Sequence, residues 1–525
     1  MILGAGMMSY LIERLDDLLT GPDKPLIKDA GRWYSTHELQ GDIAKIQSDL
    51  AAAGVQPGDR ILLSLPNSYT FAAAYMAVIG YGATVCPVNP EMPAYELRAF
   101  VNRCRPVYGI ARGVHADELL NGESSLKNLF VADEKMQNFH WFVRSEGTWE
   151  ERKNQGAAIV RKSREPAGDQ IAILLYTSGT TGSPKAVGLT HDQVFAAAQN
   201  IIASHRLTSD DITYCFLPLF HINAEVVAVL STLLSGGKIV LESKFSASKF
   251  WKTVCEEKIT WISAVPAVIS IILNIEKPKE IPDHLRFVRS ASAQLPILHA
   301  RRFEQEFGIP IIESYGMTEA ASQICVNPLP PEKRVLGSVG IPVGVELAIS
   351  DESGQHLPPK TVGEIVIRGK NIITEYVKAE NQDDFRDGWF HTGDVGYVNE
   401  EGYVFIVGRK KELINRGGEK ISPYEVEEVI RGLPGVHQVA VIGVPDPKYG
   451  EQVAACIVPE NDDPASLKAL EEAVMEHCRR SLSSYKCPSK IKFAEELPVG
   501  PTGKIQRIRL KQEMGLQKIA GQSGR

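Results

Sequence analysis

Nothing in this sequence marks it for a polyanion, a lipid bilayer or an oxidising compartment. Lys and Arg number 57 against 64 Asp and Glu, a net charge of -7, so no broad basic field is available to attract nucleic acid or an anionic membrane. The eight cysteines form no C-x-x-C pair and have no histidine at metal-ligand spacing; they read as reduced thiols of a cytoplasmic protein. The first residues lack a cationic stretch and reach Glu13, Asp16 and Asp17 before any apolar run of signal length, so they read as an ordinary first helix. The longest apolar stretch, Phe71 to Val88, is interrupted by Tyr75, Gly80, Tyr81 and Gly82. It reads as a buried helix running into a strand, with no transmembrane segment. Internal repeats, low-complexity segments and the G-x-x-x-x-G-K-[ST] phosphate loop are absent as well.

What is present is a long chain, 525 residues with 44% apolar content, enough for two or more cores. Ser35 and Glu38 form a capping box ahead of Leu39, Ile43, Ile46 and Leu50, which share one helical face, and Gly54 closes that helix. Short apolar runs at 60–65, 84–87, 238–242, 261–265 and 287–290 read as strands separated by helix-length segments, the alternation of layered α/β folds. From about Gly337 to Arg368 the pattern changes to glycine-punctuated strands, a smaller β unit. After Gly408 a charged stretch, Arg409 to Glu412, separates two apolar segments, and a domain boundary is expected there, dividing 1–408 from 409–525. Beyond it the spacing predicts helix 423–432, strands 436–443 and 452–458, helix 464–483 and strand 490–494. The expected fold is α/β: layered α/β subdomains with a small β unit, then a small α+β C-terminal domain.

Chemistry is concentrated in a few segments. Tyr176 to Lys185 gathers the hydroxyls of Thr177, Ser178, Thr180 and Thr181 with Gly179, Gly182 and Lys185 directly after an apolar run. Backbone amides freed by the glycines, with those hydroxyls and the lysine, can cradle a polyphosphate. This string resembles the phosphate-loop signature of the acyl-adenylate-forming superfamily of acyl-CoA synthetases, peptide-synthetase adenylation domains and luciferases. In the same order follow Tyr315-Gly-Met-Thr-Glu319, Trp389-Phe-His-Thr-Gly-Asp394, Gly408-Arg-Lys-Lys-Glu-Leu-Ile414 and Pro501-Thr-Gly-Lys504, each similar to a segment of that family.

The resemblance implies an enzyme that joins a carboxylic acid to the α-phosphorus of ATP and passes the acyl group to a thiol, using Mg²⁺ and coenzyme A. It implies ATP contacts at Thr177 to Gly182, Lys185, Ala293, Gln294, Tyr315, Gly316, Met317, Thr318, Asp394, Arg409 and Lys504. Within that set Thr318 meets the α-phosphate and Glu319 holds the metal. Asp394 can accept both ribose hydroxyls through its two oxygens. Lys504 places positive charge where the transition state develops negative charge. Lys411 stands at the position of the family's hinge, about which the C-terminal domain swings, and Gly417, Gly418 and Lys420 belong to the face that meets the pantetheine arm. A glycine pair can equally serve a tight hairpin.

For the acid, Leu217-Pro-Leu-Phe-His221 resembles the segment whose histidine lies beside the incoming carboxylate. Arg289, Ser290, Gly316 and Ser322 complete the expected pocket. Arg289 ends a strand-like run, where an inward guanidinium needs an anion, supplied by a structural salt bridge or by the substrate. The surrounding text is most similar to oxalate-CoA ligases, so a small carboxylic or dicarboxylic acid such as oxalate is expected. Ser322 and Gln294 stand where that branch carries histidine and serine, which keeps a fatty or aryl acid as an alternative. A stand-alone enzyme loading a carrier protein is a second alternative, and an inactive nucleotide-binding relative a third.

Overall fold

In the computed structural model, which describes residues 9–122, 126–133, 139–152, 166–177, 185–377, 382–500 and 505–513, both halves of the capping box form. Ser35 Oγ accepts from the Glu38 amide at 3.3 Å and the Glu38 carboxylate accepts from the Ser35 amide at 2.8 Å. The helix Thr36–Ala52 then buries Leu39, Ile43, Ile46 and Leu50 as one stripe. The apolar stretch that follows is a helix, Tyr69–Tyr81, buried almost all round, leading into the strand Thr84–Pro87. Gly82 makes that junction possible: it caps the helix at φ 85°, a left-handed conformation costly for any residue with a Cβ.

Two large sheets organise the N-terminal domain. One carries, in spatial order, Thr84–Pro87, Arg60–Ser64, Tyr108–Ala111 and Asn128–Ala132 as parallel neighbours, with the antiparallel pair Ile171–Thr177 and Lys185–Thr190 at one edge. The other has a parallel centre of Lys238–Leu241, Ile212–Cys215, Trp261–Ala264, Phe287–Ser290 and Ile311–Met317, extended by the antiparallel strand Ser322–Val326. Its strands are buried on both faces, as parallel sheets with helical crossovers require. A third sheet contains Val345–Ser350, Gly363–Gly369, Trp389–Val398 and Val404–Arg409. One continuous apolar core joins these layers.

The small C-terminal α/β domain has its own apolar clusters, one on each face of a sheet built around the antiparallel pair Val436–Asp446 and Gly450–Pro459. Both strands run past the apolar spans that predicted them. Asp446 accepts from the amides of Lys448 and Tyr449 and closes a tight turn, so pairing continues to the polar ends. The helices Pro423–Arg431 and Pro464–Ser481 cover one face, the second turning Leu470, Val474 and Cys478 inward. Among the described residues no helix is long and apolar enough to cross a membrane.

Arg507 anchors the helix Arg507–Glu513 in this domain. It is 7% exposed; its guanidinium donates to Glu427 at 2.5 Å and pairs with Glu412 at 3.3 Å, and Glu427 is itself 2% exposed. Arg507→Ala would remove the nearer cation from the buried Glu427 and leave it with Arg431 at 3.7 Å, so a loss of about 3–5 kcal/mol in urea unfolding of the C-terminal domain is expected. An unchanged midpoint would refute this role.

Candidate active site

The parallel strands Trp261–Ala264, Phe287–Ser290 and Ile311–Met317 end at one edge of their sheet, the edge at which open α/β sheets bind ligands. There the chain presents Ser292, Ala293 and Gln294, all exposed, and Tyr315 to Glu319. After Met317 a single 3-10 turn, Thr318–Ala320, reverses the chain into Ser322–Val326 through Ala321 and Ser322, both at positive φ. The returning strand lies so close that a Cβ on Gly316 would stand 1.6 Å from the Ser322 carbonyl oxygen. Glycine is therefore required at 316, and its own exposed backbone is left open to a ligand.

Three segments converge on Asp394. Tyr315 donates its phenol to Asp394 Oδ2 at 2.6 Å, and Arg409 Nε lies 3.1 Å from Oδ1, because Asp394 and Arg409 are paired across adjacent strands. Asp394 is 5% exposed, and its amide donates to Thr392 Oγ1. Burial, with Asp394 alongside, holds the Tyr315 phenol well above its ordinary range. The result is a carboxylate fixed on both sides at the sheet edge.

A second cluster surrounds Glu319. Its carboxylate is 7% exposed, and the side-chain hydrogen bond it has among the described residues is a long one, 3.5 Å from the Tyr376 hydroxyl. That hydroxyl is nearer Asp384, at 3.0 Å, and Lys185 also donates to Asp384 while its ammonium lies 4.4 Å from the Tyr376 ring centre. Burial pushes the Glu319 carboxyl above its usual range. A carboxylate that is desolvated and barely hydrogen-bonded suits a divalent cation, which would restore its charged form.

A third group includes His221 and Arg289. Asn67 clamps the Leu217–His221 turn, donating to the Leu217 carbonyl at 2.8 Å and accepting from the Leu219 amide at 2.7 Å. His221 is held there with Nε2 buried and without a partner among the described residues, and burial pushes its pKa down to about 4, so it is a neutral imidazole at pH 7. A π-helix, Asn223–Leu230, follows directly, a rare geometry concentrated at functional sites. Arg289 is 1% exposed and meets no carboxylate among the described residues; Asn223, Ser263 and Ser314 accept its hydrogen bonds. Of the two expected sources of an anion for Arg289, the structural salt bridge is thus absent among the described residues. Ser290 and Ser322 are buried in their strands, and the Ser290 hydroxyl has no partner among the described residues.

Other expected residues lie apart from this edge or outside the described residues. Ser178, Gly179, Thr180, Thr181, Gly182 and Lys504 belong to the latter group, while Thr177 and Lys185 are cross-strand partners that flank the loop. Lys411 is exposed in the turn after Arg409. Gly417 and Gly418, at φ 63° and 98°, form the two-residue loop of the hairpin Ile414–Arg416 and Glu419–Ile421, and both are exposed, as is Lys420. The tight-hairpin reading of the glycine pair is thus what the backbone adopts. Tyr376, Asp384 and Asn223 were not singled out from sequence. Asn223 could have been, since it stands two residues after His221.

The family model for AMP-binding enzymes matches residues 17–377, and that for the AMP-binding enzyme C-terminal domain matches 425–504. The chain belongs to this family. It is 36% identical to the oxalate-CoA ligase of Arabidopsis thaliana, covering 93% of this chain and 95% of that one. It is also 36% identical to the sulfoacetate-CoA ligase of Cupriavidus necator, covering 93% and 94%. The crystal structure of ATP-bound MatB from Rhodopseudomonas palustris superposes with a TM-score of 0.85 at 29% identity, covering 97% of this chain and 99% of that one.

Proposed function

We propose that this family member activates a small carboxylic acid of the oxalate kind, forming an acyl-adenylate with release of pyrophosphate and then a CoA thioester with release of AMP. The broader class, an AMP-forming acid-thiol ligase using ATP, Mg²⁺ and CoA, follows from the family and its named members. The observation that carries the reading is the pairing of two differently built carboxylates at one sheet edge. Asp394 is fixed by Tyr315 and Arg409 and is suited to ribose hydroxyls; Glu319 is short of partners and is suited to Mg²⁺. When bound, that ion offsets the charge of the phosphate oxygens.

In this reading the 178–182 loop and Lys185 hold the polyphosphate, Thr318 meets the α-phosphate, and Ala293, Gln294 and Tyr315 enclose the base. His221, being neutral, can stand beside the acid without pairing with it. We place the domain boundary at Gly408 and Arg409 and the hinge at Lys411. Lys504 then serves adenylation, and the Gly417–Gly418 hairpin with Lys420 serves the thiol step. A panel of acids tested for pyrophosphate exchange into ATP with Mg²⁺ is expected to show acid-dependent exchange, strongest for small acids. Absence of exchange with every acid would sink the ligase reading, and exchange without thioester formation on CoA would point to a carrier-protein acceptor.

A further inference from the structure

Arg289 is the largest cation in the core of the N-terminal domain without an opposing charge among the described residues. It lies opposite Ser263 in the adjacent strand, so the two side chains share a face of the sheet, and Ser314 reaches the same face from the next strand. Nη1 donates to Asn223 Oδ1 at 2.9 Å and Ser263 Oγ at 3.2 Å, and Nη2 to Ser314 Oγ at 2.8 Å. A guanidinium has five N–H groups, so two, including Nε–H, find no acceptor among the described residues. All three partners are neutral. They fix the orientation of the group and leave its charge uncompensated, and burial alone drags its pKa down to about 9.

The three partners of Arg289 differ in exposure. Ser263 and Ser314 are buried, while Asn223 is half-exposed and its amide nitrogen is 3.5 Å from the hydroxyl of Ser292 on the exposed rim. Arg289 is thus one side chain below the segment that leads to Ala293 and Gln294, on the side of the site that holds His221.

We infer that Arg289 is the receptor for a second anionic group of the acid substrate, a carboxylate or a sulfonate distal to the carboxylate that reacts, reached from the Asn223 side. Asn223 is the positioning residue that holds the guanidinium for it. The inference rests on the ligase reading and adds where the second charge is held. An uncharged chain end would leave the buried cation unmatched, so discrimination arises from charge more than from length.

The decisive variant is Asn223→Asp, which sets a carboxylate against Nη1 at nearly constant shape and so supplies the missing countercharge from the protein. Exchange kinetics with oxalate, malonate and sulfoacetate are compared with those for acetate and propionate. In the parent enzyme kcat/KM favours the dianions; in Asn223→Asp the dianion-to-monoanion ratio is expected to fall by about a hundredfold. Arg289→Gln should lower the same ratio, and because that change can also disturb the fold, the Asp variant carries the test. Preference for the dicarboxylates or for the sulfonate supports the inference and identifies which oxyanion the site takes. A parent enzyme that prefers monoanions, or an unchanged ratio in Asn223→Asp, overturns it while leaving the ligase intact. No exchange with any acid removes both.

Discussion

Lys504→Ala is expected to lower acid-dependent pyrophosphate exchange by about a hundredfold or more while leaving thioester formation from presynthesised adenylate and CoA largely in place. The asymmetry comes from where charge develops. Attack of the acid on the α-phosphorus gathers negative charge on the phosphoryl oxygens, and an ammonium aimed there stabilises the transition state more than the ground state. Thiol attack on the finished adenylate gathers charge at a different atom. Ile505, the residue after Lys504, is bridged to Val499, and Arg507 is locked into the C-terminal core two residues after that. Single-turnover assays of each half-reaction check this. Equal losses in both would make the lysine structural.

Asp394→Ala should have the second large effect: with the proposed pair of charge-assisted hydrogen bonds to ribose removed, the KM for ATP is expected to rise by about a hundredfold. The same change deprives Arg409 of its partner and Tyr315 of its acceptor, so some loss of thermal stability accompanies it. Tyr315→Phe is the control. It removes the phenol bonded to Asp394 but keeps the carboxylate, and its ATP KM should rise far less. Similar KM values for the two variants would argue that Asp394 acts on the nucleotide only through the packing of Tyr315.

The sequence made local structure plain where one short segment contains both partners of an interaction. Ser35 and Glu38 are three residues apart and satisfy each other, and the Gly417–Gly418 pair dictates a two-residue loop on its own. The site was legible in part, because Tyr315 to Glu319 and Asp394 each lie in a dense polar string beside a strand. What could not be read were contacts made by long return paths. Arg289 meets Asn223 from 66 positions away, and Lys185 meets Asp384 from 199 away. Tyr376 has no periodic or polar context to single it out, and its place between Lys185 and Glu319 arises only when the β unit folds back on the strand pair beside the loop.

Arg409 is at once the partner of Asp394 and the last residue of its strand, two positions before Lys411. If Lys411 is the hinge and Asp394 holds the ribose, as proposed, the sugar of the nucleotide and the orientation of the C-terminal domain share one ion pair. Thermodynamic reciprocity then applies. A nucleotide that tightens the pair favours the domain orientation in which it is tight, and that orientation raises nucleotide affinity by the same factor. Loss of pyrophosphate and release of AMP would therefore register at the hinge as changes in equilibrium, timing the arrival of the thiol without a separate signal.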